Sequence, residues 1–96
     1  MTKQAPGYID NKEKVKNRLR RIGGQIGGIE RMVEEERYCI DILTQISAAQ
    51  AAIDKVALAL LDEHTRHCVI GAESLEAREE KTEEMMEAVG RLLKSR

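Results

Sequence analysis

Cys39, His64 and Cys68 are the side chains of this 96-residue chain best suited to chemistry. A thiolate is a nucleophile and a soft metal ligand, and an imidazole binds metals through either ring nitrogen. His64 and Cys68 stand four residues apart, so on a helix they share a face and can grip one ion. At about 100° per residue, Cys39 and Cys68 point within about 20° of each other, yet a continuous helix would hold them about 43 Å apart. One chain then cannot close the site. Two antiparallel copies crossing near Ala51-Ala52-Ile53 can, because residue 39 of one falls between His64 and Cys68 of the other. Ala48, Ala49, Ala51 and Ala52 would let the two backbones approach, and the two-fold axis would give two identical sites. Two thiolates and one imidazole form a soft set of three that suits Cu(I). Zinc would want a fourth ligand or a water, and hard ions more carboxylate. Taken singly, a cysteine on an apolar stripe is small packing and a histidine there a satisfied core residue. The convergence of all three favours a metal.

The elements that must position these residues are helices. Ten Ala, nine Ile and eight Leu supply most of the apolar content, with one Pro, two Tyr and neither Phe nor Trp. That profile opposes a β-sandwich or barrel and predicts an all-α chain of one domain, residues 1–96. Residues 1–9 read as a flexible arm broken at Pro6-Gly7. Asp10 with Glu13 resembles a capping box opening a first helix over about 10–35. Val15, Leu19, Ile22, Ile26, Ile29 and Val33 make its heptad stripe. Gly23, Gly24, Gly27 and Gly28 interrupt it, each costing about 0.5–1 kcal/mol against Ala. They fit either close approach by another helix or local softness beside a ligand. Glu34-Glu35-Glu36 marks a junction with no Gly or Pro to fix the turn. A second helix over about 38–69 carries Cys39, Ile42/Leu43, Ile46, Ala49, Ile53, Val56, Leu60, His64 and Cys68, and Gly71 breaks it. Ser74 caps a third over about 74–94. Three narrow stripes make a thin core, so self-association is the economical solution.

Charge is split along the chain. Residues 1–33 hold eight basic and three acidic side chains, the remainder eight basic and fourteen acidic, and the net is only -1. The first helix carries Lys12, Lys14, Lys16, Arg18, Arg20, Arg21 and Arg31. Such a face is either simply solvated or bound to phosphates, which reward clustered cations through counterion release. No helix-turn-helix, zinc finger or RNA-binding aromatic motif is present. The chain is not expected to be an enzyme, since no Ser–His–Asp grouping or nucleotide-cradling glycine motif occurs. The longest apolar run, residues 56–61, cannot cross a bilayer, and no charged-then-apolar leader opens the chain, so a cytoplasmic location and no membrane partner are expected.

The sequence resembles the copper-sensitive operon repressor family (CsoR) over about residues 10–94. The matching segments are Asn17-Arg18-Leu19-Arg20-Arg21, Gly24-Gln25-Ile26, Gly28-Ile29-Glu30-Arg31-Met32, Tyr38-Cys39, Gln45-Ile46-Ser47-Ala48 and His64-Thr65-Arg66-His67-Cys68. The Cys39, His64, Cys68 spacing is the specific part. Similar nickel/cobalt sensors carry His for the last Cys, formaldehyde-responsive relatives lack the second Cys, and persulfide sensors lack the His. The resemblance implies a three-helix subunit in an antiparallel dimer that assembles into a homotetramer. It implies one Cu(I) per subunit, held by Cys39 of one chain and His64 and Cys68 of its partner. Tyr38 and Glu84 match positions that support the metal-bound imidazole. Arg18 and Lys55 match basic positions used for DNA, joined in our reading by Lys14, Arg20 and Arg21, while Gly27 replaces a basic residue common in the family. The implied function is a repressor that binds operator DNA without metal and is released by Cu(I), derepressing copper-resistance or efflux genes. A thiol-based persulfide or redox sensor using Cys39 and Cys68 is the alternative, and a structural helical oligomer without DNA a second.

Overall fold

The computed structural model describes residues 6–94, and those residues are helical with no strand. The Ile9 amide donates to the Pro6 carbonyl at 3.2 Å, and this turn runs into a 3-10 turn, Ile9–Asn11. Residues 6–9 are therefore ordered into a turn where the sequence suggested a loose arm. The rest of that arm, residues 1–5, lies outside the described residues. Helix α1 follows over Lys12–Glu34 with Asn11 as N-cap, and no side-chain cap hydrogen bond forms there. Asp10 is already inside the 3-10 turn, so it cannot serve as the cap of the expected Asp10–Glu13 box.

The end of α1 is defined by backbone geometry that the sequence did not announce. The Glu36 amide donates to the Val33 carbonyl at 3.0 Å and the Arg37 amide to the Met32 carbonyl at 2.9 Å. That pair of bonds is the Schellman closure, which needs a left-handed residue just past the helix. Glu36 takes that role with φ 55°, the only positive φ among described non-glycine residues. The junction therefore falls within the acidic run, and a glutamate does what glycine commonly does.

Helix α2 runs over Cys39–His64, and its continuation, Thr65–Ile70, is π-helical. The single helix expected to residue 69 thus changes its winding immediately after His64. Thr65 donates its hydroxyl to the Leu61 carbonyl at 2.8 Å, competing for an acceptor of the α ladder where α gives way to π. Gly71 is the C-cap that ends the helix, as expected from sequence, although with φ -81° it does so without a left-handed backbone. Its need for glycine is spatial: a Cβ there would lie 2.8 Å from the His67 carbonyl oxygen. Helix α3, Leu75–Lys94, opens with the expected cap, the Ala77 amide donating to Ser74 Oγ at 3.1 Å.

The chain divides into two compact units, Asp10–Leu60 and Leu61–Arg96 with Met1–Ile9. In the first, the buried apolar residues are Ile22, Ala49 and Val56; in the second, Val69. Much of the apolar stripe of α1 stays open, with Ile26 58% and Val33 59% exposed. In the second unit the π-helical segment packs on α3, and Arg78 donates from Nη2 to the Ile70 carbonyl at 3.2 Å. Residues 6–9 belong to this unit too. Gly7 lies so close that a Cβ on it would be 2.6 Å from the Glu63 carbonyl oxygen. No helix among the described residues is long and apolar enough to cross a membrane.

Candidate functional site

Cys39 is the first residue of α2 and His64 its last, in a helix of 26 residues. Such a helix measures about 39 Å. Both cysteines are free thiols, Cys39 exposed and Cys68 half-buried. His64 is half-buried, and Cys68 lies in the π-helical segment that follows it. A wider turn than α brings positions i and i+4 closer to alignment, and π turns of this kind concentrate at functional sites. Among the described residues no group of three or more His, Cys, Asp or Glu side chains converges as a metal site.

The two residues matched to supporting roles are accessible. Tyr38 is 69% exposed, and its carbonyl accepts the Ile42 amide at 3.3 Å in the first turn of α2. Glu84 is exposed on α3 and ion-paired with Lys81 at 3.9 Å. Sequence reasoning gave His67 no role. Its Nε2 lies 3.1 Å from Glu63 Oε2, an i,i+4 pair on the same helical face as the start of the π turn. The spacing of Glu63 and His67 was the signal available for it.

The cations sort more sharply than the sequence suggested. Arg18, Arg21, Ile22 and Gln25 of α1 and Ala52, Lys55 and Leu58 of α2 line one groove of about 720 Å³ within the unit Asp10–Leu60. Three of the five residues expected to meet DNA, Arg18, Arg21 and Lys55, are thereby brought together. Lys14 is exposed one turn before Arg18, on the same side of α1, but does not line the groove. Arg20 points about 200° round the helix from Arg18 and donates to Asn17 Oδ1 at 3.3 Å. Added Cβ atoms at Gly23, Gly24 and Gly27 would meet nothing within 4 Å, and at Gly28 only the Arg31 guanidinium at 3.8 Å. Among the described residues no other element of the same chain presses on these glycines.

The family described as metal-sensitive transcriptional repressor matches residues 11–91. The chain is 50% identical over 93 residues to the copper-sensing transcriptional repressor RicR of Mycobacterium tuberculosis, covering 95% of this chain and 97% of that protein. It is 48% identical over 84 residues to the copper-sensing transcriptional repressor CsoR of Bacillus subtilis, covering 88% and 83% respectively. Its fold superposes with a TM-score of 0.82 on the copper-sensing repressor CsoR with Cu(I) from Geobacillus thermodenitrificans, at 40% identity over 97% of this chain and 94% of that one. With its helical architecture in agreement with a match over most of its length, the chain belongs to the metal-sensitive transcriptional repressor family.

Proposed function

We propose that the chain is a Cu(I)-responsive repressor, a regulator and not an enzyme, that holds operator DNA in its metal-free form and leaves it when Cu(I) binds. The cytoplasm is its expected place of work. The observation that carries the reading is the disposition of a soft donor set along α2, with Cys39 at the first position, His64 at the last and Cys68 in the next turn. Two thiolates and one imidazole fit a trigonal Cu(I) ion, which accepts three soft ligands and needs no fourth. Because α2 separates Cys39 from His64, the site is completed by a second, antiparallel copy, one Cu(I) per subunit. A dimer of such dimers is the assembly proposed.

The open apolar residues of α1 and α2 support that association, since Leu19, Ile26, Leu43 and Ile53 are each at least 43% exposed in a single chain. Tyr38 and Glu84 are proposed to orient the His64 ring through its nitrogen that does not face the ion, a role a phenol or carboxylate can fill. Glu84 would have to leave Lys81 to do so. The DNA contacts are assigned to Arg18, Arg21 and Lys55 of the groove, with Lys14 and Arg20 as outlying cations. For the switch to work, Cu(I) must bind the DNA-free conformation more tightly than the DNA-competent one.

The test is complementation between subunits. Cys39→Ala protein and His64→Ala/Cys68→Ala protein should each fail to hold Cu(I) in competition with a chelator. Mixed and reassociated, they should regain one tight site per heterodimer, because one interface then carries all three donors. No regain on mixing, with heterodimer formation verified, would overturn the shared site.

A further inference from the structure

One groove residue has no place in the phosphate reading. Arg18, Arg21 and Lys55 carry fixed charge, and each gains from a phosphate wherever it lies along a duplex. Gln25 stands among them, exposed and on the same face of α1, seven residues after Arg18 and four after Arg21. A neutral amide releases no counterion and gains little from a phosphate. It does present a donor and an acceptor side by side, and base edges in the major groove carry that complementary pair, most directly adenine N6 and N7. The other residues lining the groove, Ile22, Ala52 and Leu58, are apolar. Those three side chains offer the exposed amide no polar partner, and it remains available to a ligand.

We infer that Gln25 reads the operator sequence by pairing with an adenine edge, while the cations around it hold the phosphates without regard to sequence. The inference rests on the repressor reading above and names the residue that gives that repressor its discrimination. Arg18, Arg21 and Lys55 set register and overall affinity, and Gln25 converts that register into a preference.

The experiment uses the full-length metal-free protein. A preferred duplex is first enriched by the wild-type protein from a random-sequence library, and a scrambled duplex of the same length serves as control. Gln25→Ala should weaken binding to the enriched duplex by about 5–150-fold, the worth of one bidentate base contact. It should leave scrambled-duplex affinity and the salt dependence unchanged. Arg18→Ala should weaken both duplexes alike and lower the salt slope by about one. Replacing adenine by 7-deazaadenine, position by position, should reproduce the loss at one position for the wild type and add nothing for Gln25→Ala. Equal losses on both duplexes, or an undiminished preference in Gln25→Ala, would overturn the assignment. If the wild type retains neither duplex, the repressor reading falls and this inference with it. A wild type that retains both without preference overturns the role of Gln25 alone.

Discussion

The hydroxyl oxygen of Thr65 lies 3.2 Å from the thioether sulfur of Met85. The same hydroxyl also reaches the Leu61 carbonyl at 2.8 Å, so its single proton is shared between that oxygen and the Met85 sulfur. The contact with Met85 joins the residue after His64 to the residue after Glu84, and thus the π-helical turn to α3. If metal binding moves the imidazole, this contact offers a route to α3 that does not pass through Glu84. Met85→Ala should leave Cu(I) affinity nearly intact and shrink the copper-driven loss of DNA affinity by about 0.5–2 kcal/mol. Glu84→Ala should do the same if its carboxylate leaves Lys81 for His64. Measuring DNA affinity with and without Cu(I) for both variants decides which of them carries the coupling.

His64→Ala separates metal sensing from thiol chemistry. A Cu(I) sensor loses its response when one of three donors is removed, whereas a sensor that joins Cys39 to Cys68 needs no imidazole. Release of His64→Ala protein from DNA is expected to fail with Cu(I). Retention of a normal copper response would contradict the proposed donor set, and a normal persulfide response would favour the thiol alternative.

Glu36 holds a left-handed backbone at φ 55° to close α1. A side chain there costs about 1–2 kcal/mol, and glycine avoids that cost at the expense of a more mobile unfolded chain. Glu36→Gly should therefore stabilise the protein by about 0.5–1 kcal/mol. Glu36→Val should destabilise it, since a branched side chain fits that region poorly. Urea denaturation at fixed protein concentration reads both.

Two local devices secure the turn between the π-helical segment and α3. Ser74→Ala removes the acceptor of the Ala77 amide and should cost about 1 kcal/mol. Gly71→Ala forces a methyl against the His67 carbonyl and should cost about 1–3 kcal/mol. Hydrogen exchange should quicken at the first turn of α3 in the former, and in residues 67–71 in the latter.

The helices and the Ser74 cap were legible because heptad spacing and capping are local properties of the chain. The change of winding after His64 was not. It is a local widening of the turn over Thr65–Ile70, which apolar periodicity does not register. Nor was the left-handed Glu36, since glutamate carries no preference for that conformation and two backbone hydrogen bonds impose it. Arg18 and Lys55 could be suspected of a common role, yet their placement on one groove requires the pairing of α1 with α2. Gln25, quoted only as part of a matching segment, received no role because a neutral residue contributes nothing to a charge count.

With Ile22, Ala49, Val56 and Val69 the only buried side chains among the described residues, a lone subunit excludes little water from its interior. If the subunits associate as proposed, folding and self-association become a single equilibrium, and the midpoint of thermal unfolding should climb with protein concentration. Newly made subunits that find no companion would be exposed to proteases, so the cellular stock of this regulator would be trimmed to what can assemble.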